Sequence, residues 1–486
     1  MQTKDLSVEI KNLKLKNPPL FKEEEHLKYI NDWRGQYTGK AAAILRPTNT
    51  LEVSAIVKFA YENNISIVPQ GGNTSLCGAA TPDQSGNSII VSLEKMNKVR
   101  QFNKKAQTIT VESGMILSQI HELVEKEDLF FPLSLGAKGS CMIGGNLSTN
   151  AGGVNVLKYG NTRELCLGLE VVLPDGKIMN LLSELKKDNT GYDLKNIFIG
   201  AEGTLGIITA ATLKLFQLPK TITTVFVEAD KISNAVELLN IFNSHFPDRI
   251  ESFELMPKVF WEVANNNIEN IKLPFDDLPE MGVLIDISSF SKIEITPNSD
   301  GILPIILTIE NVLEECLELD LISNATICTN KSQSQSLWSI REAAAESEKK
   351  ELENSNLLKC LKHDISLPVE SIESFHKEAQ IMITNFLPRL KTIYFGHLGD
   401  GNLHYNVFGN GSFPDGFEGK GSDLTTELYK IVHKYDGSFS AEHGIGQLKR
   451  HNLKSHKNEA AYSLMTVIKK QLDPKGIMNP GKVLYS

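Results

Sequence analysis

Short apolar runs alternate with amphipathic helical segments along most of the chain. Behind Thr50, apolar residues recur three and four positions apart, which predicts a helix over Leu51–Asn63 with Thr50 as its N-cap. Ile65–Val68 and Ser88–Leu93 are short apolar runs and predict buried strands. Met115–Lys126 returns to helical spacing and predicts a second amphipathic helix.

A hairpin and a further strand follow in the same half of the chain. Leu169–Leu173 and Lys177–Asn180 flank a Pro-Asp-Gly sequence, whose turn chemistry predicts a β-hairpin. Ile207–Leu215 alternates between apolar and polar residues like a strand. This mixture of strands and helices is typical of an α+β or α/β protein.

The pattern changes after Pro219. The elements predicted there are a strand at Thr221–Ala229, a helix at Ser233–Phe242, a strand at Gly282–Ser288 and a helix at Thr308–Leu319. We therefore expect a polar, partly helical lead-in at 1–40, a first domain at 41–220 and a second α+β domain at 221–440. The tail at 441–486 is too short to fold alone, and we expect it to return to the first domain.

Composition excludes several classes of protein. The 486 residues are 41% apolar and carry a formal charge of −9, which argues against a nucleic-acid partner. No apolar stretch reaches the roughly 18 residues of a transmembrane helix, and residues 1–17 lack the apolar core of a signal peptide. Six cysteines lie scattered without a C-x-x-C pair, as in reduced cytosolic proteins. We expect a cytoplasmic protein, with peripheral membrane attachment left open.

Glycine is concentrated in three clusters. The first is PQGGNTS at 69–75, directly behind a predicted strand; seven glycines then fall between Gly136 and Gly160, and four between Gly191 and Gly206. Glycines beside hydroxyl and amide side chains can present backbone N–H groups to an anion. Neither the Rossmann nor the P-loop motif occurs, so those two binding modes lose their main support. Three such clusters in one domain predict a phosphate-bearing cofactor, whose identity the spacing leaves open. Tight turns in a loop-rich domain are the alternative.

Histidines and carboxylates gather in two other glycine-rich motifs. His397 and His404 flank a Gly-Asp-Gly-Asn turn that permits both rings to converge, and Asn406 shares a strand face with His404. Glu442 and His443 stand together in the loop AEHGIG. Two histidines and a carboxylate are the ligand set of a catalytic divalent metal site with an open position. Hydrogen-bonded loop residues are the alternative.

Two cations lie in apolar surroundings. Arg341 occupies a helical turn, and Lys362 begins a predicted strand. Arginine can grip a carboxylate with two parallel hydrogen bonds, and lysine supplies a point charge. A surface ion pair is the alternative for each, and taken singly it is the commoner role of such a residue.

Together these motifs resemble the flavin-dependent 2-hydroxy acid dehydrogenases of the vanillyl-alcohol-oxidase type, nearest the D-2-hydroxyglutarate and D-lactate dehydrogenase branch. Five motifs occur in the order of that family: PQGGNTSLCGA, GGNLSTNAGG, GAEGTLGIIT, GHLGDGNLHYN and AEHGIG. The resemblance covers nearly the whole chain. It implies an α+β fold, with a two-subdomain FAD-binding domain of the PCMH type, a ferredoxin-like substrate domain and a C-terminal segment that returns to the flavin.

The resemblance also implies which residues bind FAD. Members with covalent flavin usually carry a histidine just after the paired glycines, where this sequence has Asn73, so the FAD is expected to be non-covalent. The implied FAD-binding residues are Pro69, Gly71, Gly72, Asn73, Thr74, Ser75, Gly78, Gly136, Gly144, Gly145, Asn150, Gly152, Gly153, Gly203, Ile207 and Asn479.

By the same matching, His397, His404 and Glu442 would bind Zn²⁺ or a similar divalent ion, and His443 would be the catalytic base.

Three further residues would bind the substrate. Arg341 and Lys362 would bind carboxylates, and Asn406 would be a further contact. In the hydroxyglutarate branch a threonine usually follows the arginine by four positions, but here that residue is Ala345. The KHDISLP segment at 362–368 still resembles that branch more than the glycolate oxidase one.

The implied reaction is the oxidation of a D-2-hydroxy acid, such as D-2-hydroxyglutarate, D-lactate or D-malate, to the 2-oxo acid. The hydride would pass to FAD, and the metal would assist deprotonation of the hydroxyl. A quinone, an electron-transfer flavoprotein or a cytochrome would accept the electrons, and a homodimer is left open. The alternatives are a glycolate oxidase-like subunit, a transferase like the alkyl-glycerone-phosphate synthases, and a non-catalytic flavin- or zinc-binding module.

Overall fold

The computed structural model describes residues 3–355, 357–413 and 415–485. They form two compact units: one from 3–153, 159–218 and 442–485, the other from 154–158 and 219–441. Within these residues, no helix has both the length and the apolar character needed to cross a membrane.

Both helices and strands are plentiful, which confirms the expected α+β class. The described strands are β1 (Ala43–Leu45), β2 (Ser66–Gln70), β3 (Ser88–Ser92), β4 (Val99–Asn103), β5 (Thr108–Glu112), β6 (Leu129–Phe130), β7 (Cys166–Val172), β8 (Ile178–Leu181), β9 (Ile207–Lys214), β10 (Phe216–Gln217), β11 (Thr221–Ala229), β12 (Ile250–Pro257), β13 (Met281–Ser289), β14 (Ile322–Ile327), β15 (Leu357–Ser366), β16 (Lys391–His397) and β17 (Asn402–Asn410).

The described α-helices are α1 (Thr3–Asn12), α2 (Glu23–Ile30), α3 (Thr50–Asn63), α4 (Leu117–Glu125), α5 (Ile143–Thr149), α6 (Val156–Tyr159), α7 (Lys195–Phe198), α8 (Ile232–His245), α9 (Lys258–Asn267), α10 (Pro304–Glu318), α11 (Lys331–Glu342), α12 (Ala344–Asn354), α13 (Ile372–Phe386), α14 (Gly421–Lys434), α15 (Arg450–His456) and α16 (Glu459–Leu472). Short 3-10 helices lie at Ile293–Ile295, Val369–Ser371 and Leu398–Asp400.

The first unit contains two larger sheets. A parallel sheet has the order β1-β3-β2, and an antiparallel sheet has the order β4-β5-β9-β7-β8. The C-terminal segment joins the free edge of β2, where the Ile67 N–H donates to the Ile477 carbonyl and the Asn479 N–H to the Ile67 carbonyl, both at 2.7 Å. Residues from the two ends of the chain therefore share one apolar cluster, which includes Ile67 and Met478.

The apolar spacing predicted the elements of this unit well, but the N-cap predicted for the helix at 51–63 was wrong. The predicted helix at 51–63 corresponds to α3, and the predicted hairpin corresponds to β7 and β8, which pair antiparallel. The N-cap is Asn49 rather than Thr50, because the Asn49 side chain accepts the Glu52 N–H at 3.0 Å. Thr50 is already helical, and its hydroxyl donates to Glu170 at 2.6 Å.

The second unit is built on one antiparallel sheet with the order β14-β11-β13-β12-β16-β17-β15. Its first part runs β11-α8-β12-α9-β13-α10-β14, and its four strands have the ferredoxin-like order that the resemblance implied. One face of β15 and β17 is apolar, with Ile365, Leu403 and Val407 in the main cluster of the unit. Because side chains alternate along a strand, Lys362 and Asp364 share the opposite face with their partners across the strand pair.

A tight turn links β16 to β17. Gly401 closes it at φ +77°, and its carbonyl accepts the Leu367 N–H at 3.0 Å. A Cβ added at Gly401 would lie only 2.0 Å from the Leu367 carbonyl oxygen. Glycine is therefore needed here both for its backbone conformation and for the close approach of a neighbouring segment.

Replacing Gly401 by alanine should destabilise the protein by about 3 kcal/mol, since positive φ and the backbone contact both oppose a side chain. Gly301→Ala is the matched control: its φ is +80°, but a Cβ there would meet nothing within 4 Å. That variant should lose only about 1–2 kcal/mol. Urea unfolding of both variants measures the difference, and equal losses would show that the contact with Leu367 is unimportant.

Candidate active site

The loop after β2, Gly71–Ser75, presents a row of backbone donors. The N–H groups of these residues make no hydrogen bond within the described part of the chain. Asn73 has φ +55°, and its side-chain Nδ2 donates to the Asn31 carbonyl at 2.7 Å and the Lys28 carbonyl at 3.3 Å. These bonds hold the loop in a conformation in which successive N–H groups can bind an anion.

The second glycine cluster leads into α5. A Cβ added at Gly136 or Gly145 would meet nothing within 4 Å, so the backbone borders open space at both positions. Asn150 ends the helix at φ +50°, and its Oδ1 accepts the Arg163 N–H at 2.9 Å. The Oδ1 of Asn146 is buried without a hydrogen-bond partner among the described residues.

The third cluster lies against the first. Gly203 has φ +70°, and a Cβ there would lie 3.0 Å from the Pro69 ring. Asn479, from the C-terminal segment, donates its Nδ2 to the carbonyls of Ala79 at 3.0 Å and Glu202 at 2.7 Å. Its buried Oδ1 has no partner within the described ranges. Free N–H groups and orphaned amide oxygens fit a polar, phosphate-bearing ligand such as a flavin dinucleotide.

Glu202, which sequence reasoning missed, organises the AEHGIG loop. Its carboxylate accepts the N–H groups of Ile445 at 2.7 Å and Gly446 at 2.8 Å, and burial raises its pKa. On the other side of His443, the Oε1 of Glu442 accepts the Gly153 N–H at 2.6 Å. The backbone is therefore held on both sides of His443. Glu202 lies in the GAEGTLG motif, which is recognisable in the sequence, but its hydrogen-bond partners more than 240 positions away could not be read from the sequence.

In the second unit, the turn at Gly401 brings two histidines together. His397 ends β16 and His404 lies on β17, and their ring centroids are 5.6 Å apart. Each offers a ligand nitrogen within 4.8 Å of the other. His404 also pairs across the strands with Asp364, with 4.0 Å between Nδ1 and Oδ1. The chain leaves this unit beside the same strand, because the Ala441 N–H donates to the Asp364 carbonyl at 3.3 Å.

Glu254 on β12 joins the histidine to the arginine. Its Oε1 lies 2.5 Å from Nδ1 of His397, and its Oε2 accepts Nε–H of Arg341 at 2.7 Å. Burial alone would favour the neutral acid, but the electrostatic interactions and hydrogen bonds with His397 and Arg341 outweigh it and lower the pKa of Glu254 to about 2. Arg341 also lies over the Phe395 ring, 4.8 Å from its centroid. The terminal guanidinium nitrogens have no hydrogen-bond partner among the described residues.

Lys362 and Asn406 stand opposite each other on β15 and β17, and Lys362 lies in the middle of its strand rather than at the start. Both donate to one carboxylate, Glu348 on α12: Lys362 Nζ to Oε2 at 2.7 Å and Asn406 Nδ2 to Oε1 at 2.6 Å. Glu348 is only 2% exposed. Sequence reasoning missed it because α12 reads as a largely charged, solvated helix.

The position four residues after Arg341 is not the inward-facing one. Ala345 is exposed, whereas Ser347 is buried and its Oγ has no hydrogen-bond partner in the described residues. The cause is a break between α11 and α12 at Ala343, whose ψ of 2° interrupts the regular helical spacing. A hydroxyl is thus available two residues beyond the predicted position.

Two protein families match the chain. Residues 41–182 match the family described as FAD binding domain, and residues 218–483 match the family described as FAD linked oxidases, C-terminal domain. Among similar proteins, the mitochondrial D-2-hydroxyglutarate dehydrogenase of Rattus norvegicus is 36% identical over 95% of this chain and 82% of its own length. The D-2-hydroxyglutarate dehydrogenase of Xanthomonas citri pv. viticola is 32% identical over 97% of this chain and 94% of its own.

Solved structures agree on the fold. An alkyldihydroxyacetonephosphate synthase has a TM-score of 0.72 at 18% identity, covering 97% of this chain and 84% of that one. A p-cresol methylhydroxylase with substrate bound has a TM-score of 0.73 at 14% identity, covering 99% and 97%. These likenesses confirm the PCMH-type fold. The sequence matches establish that the chain is an FAD-dependent oxidoreductase that belongs to the D-2-hydroxy acid dehydrogenases of the FAD-linked oxidase family.

Proposed function

We propose that this chain oxidises a D-2-hydroxy acid to the 2-oxo acid, with His443 accepting the hydroxyl proton. The observation that carries the proposal is the buried Glu254, which holds Arg341 and His397 in one polar network. FAD, when bound, supplies the acceptor for the hydride that leaves C2. The names of the relatives make D-2-hydroxyglutarate one candidate, and D-lactate and D-malate share the same reacting group.

Arg341 is the proposed partner of the carboxylate next to the reacting carbon. Glu254 engages its Nε, so the two terminal nitrogens present parallel donors in a fixed plane. The side chain is 8% exposed and held over Phe395, which limits its rotamers before the substrate arrives. A pre-oriented bidentate grip aligns the substrate at little entropic cost.

His397, His404 and Glu442 are the proposed ligands of Zn²⁺ or a similar divalent cation. The neighbouring rings of His397 and His404 support this, and so does the hydrogen bond that Nδ1 of His397 donates to Glu254, which directs the other ring nitrogen to a ligand role. Two imidazoles and a carboxylate suit such an ion. The cation, when bound, lowers the pKa of the substrate hydroxyl.

His443 is the proposed base. Its neighbours in the loop are fixed by Glu202 and by the Gly153 N–H, so its backbone is held in one place. A neutral imidazole accepts protons effectively near pH 7. Asn406 and Lys362 are proposed to lie along the rest of the substrate.

A quinone, an electron-transfer flavoprotein or a cytochrome remains the proposed electron acceptor, and a homodimer the proposed assembly. The relative from Rattus norvegicus is named as mitochondrial, and the cytoplasmic location stays a prediction.

Anaerobic addition of D-lactate, D-malate or D-2-hydroxyglutarate should test the reaction directly. At least one D-acid should remove the visible absorbance of the oxidised flavin, and its L-enantiomer should not, since only one face of C2 meets the cofactor. Stopped-flow absorbance measures both. A flavin that no D-acid reduces would exclude the proposed dehydrogenase and favour a transferase or a binding module.

The flavin should be released when the protein is denatured by acid or heat. The loop position after the paired glycines is Asn73, whose amide is engaged with the Asn31 and Lys28 carbonyls and offers no ring for a covalent bond. After centrifugation, FAD should be in the supernatant. Flavin that stays with the precipitated polypeptide would contradict non-covalent binding.

His443→Asn and Glu442→Gln should separate the base from the metal ligand. The first variant should keep its metal but reduce the flavin about 10²–10⁴-fold more slowly, the usual contribution of a positioned base. The second should lose metal affinity, because a neutral amide replaces an anionic ligand. Its amide oxygen can still accept the Gly153 N–H, so the loop is retained. Metal analysis of both variants decides, and the reverse pattern would exchange the two roles.

A further inference from the structure

The Glu348 carboxylate occupies a position where a bound anion would be expected. It accepts one hydrogen bond from Lys362 Nζ at 2.7 Å and one from Asn406 Nδ2 at 2.6 Å, so each oxygen has its own donor. Both donors belong to side chains proposed to contact the substrate. The internal carboxylate therefore makes the contacts that a second carboxylate of the substrate would need.

The place of this pair in the sheet connects it to the reacting groups. Lys362 faces Asn406 across β15 and β17, and Asp364 faces His404 two residues further along β15. Residues two apart on a strand point to the same face and lie about 7 Å apart. A substrate held beside His404 would therefore extend its side chain toward Lys362 and Glu348.

Two other acidic residues of α12 do not compete for Lys362, because they form ion pairs of their own. Glu351, one turn further along α12, has its own partner in Lys391 at 2.8 Å. The exposed Glu346 pairs with the partly buried Lys350 on another side of the helix. The charge of Lys362 is thus balanced by Glu348 before any substrate binds.

We propose that Glu348 determines specificity by excluding a second carboxylate, so that this chain prefers D-2-hydroxy acids with a short uncharged side chain, such as D-lactate and D-2-hydroxybutyrate. The inference rests on the proposed function. A dicarboxylate would have to displace Glu348 from Lys362 or place two carboxylates side by side, and like charges in contact are strongly disfavoured. Arg341 keeps its terminal donors for the first carboxylate in either case.

Glu348→Gln tests this, because it removes the charge while keeping the size and one accepting oxygen. In the parent protein, kcat/KM should be higher for D-lactate than for D-2-hydroxyglutarate. In the variant, the ratio of kcat/KM for D-2-hydroxyglutarate to that for D-lactate should rise at least tenfold, mainly through KM. Adding Lys362→Met should abolish the gain, since the freed ammonium is what binds the second carboxylate.

Glu346→Gln is the matched control on the same helix and should leave the ratio unchanged, because Glu346 is exposed and pairs with Lys350 rather than with Lys362. A ratio that stays within twofold in Glu348→Gln, or a parent that prefers D-2-hydroxyglutarate and loses that preference in the variant, would overturn the proposal. Thermal melting of each variant separates these results from misfolding. If no D-acid reduces the parent flavin, the proposed function itself fails, whereas an unchanged ratio in an active enzyme refutes only the role of Glu348.

Discussion

The buried carboxylate of Glu254 is the constraint on which the second unit depends. It is fully buried, and an isolated carboxylate there would be too costly to leave ionised. Arg341 from α11 and His397 from β16 compensate it, so three elements must meet at one point. Removing one partner of such a buried pair typically costs about 3–5 kcal/mol. The same bonds that stabilise the fold fix the orientation of Arg341, the proposed substrate-binding cation, and of His397, a proposed metal ligand.

Arg341 and Lys362 differ in the hydrogen-bond donors that remain available after each has bound its buried carboxylate partner. Arg341 gives Glu254 one of its five donors and keeps a planar pair at its end. Lys362 is a point charge, and Glu348 neutralises it directly. This difference in charge balance is the basis for the proposal that the substrate brings one carboxylate rather than two.

Much of the fold followed from local pattern, because apolar spacing decides helix or strand within a few residues. The helix α3 and the hairpin of β7 and β8 are examples, and the motif histidines could be named because glycines mark their turn. Glu254 and Glu348 could not be foreseen. Their partners lie 87 and 143 positions away for Glu254, and for Glu348 the cross-strand pair at 362 and 406 forms only in the folded sheet. An acid in a strand or on a charged helix looks solvated until its distant partners are known.

The return of the C-terminal segment to β2 has a consequence for how the chain acquires its structure during synthesis. Domains generally fold as they emerge from the ribosome, N-terminal part first. Here the edge of β2 is covered only when Ile477 and Asn479 have been made, after residues 219–441. Until then the parallel sheet presents an uncovered strand edge, the kind of surface that recruits other chains. Nascent chains of this protein should therefore depend on a chaperone, or on slow assembly of the first unit, until residues 477–479 have been made.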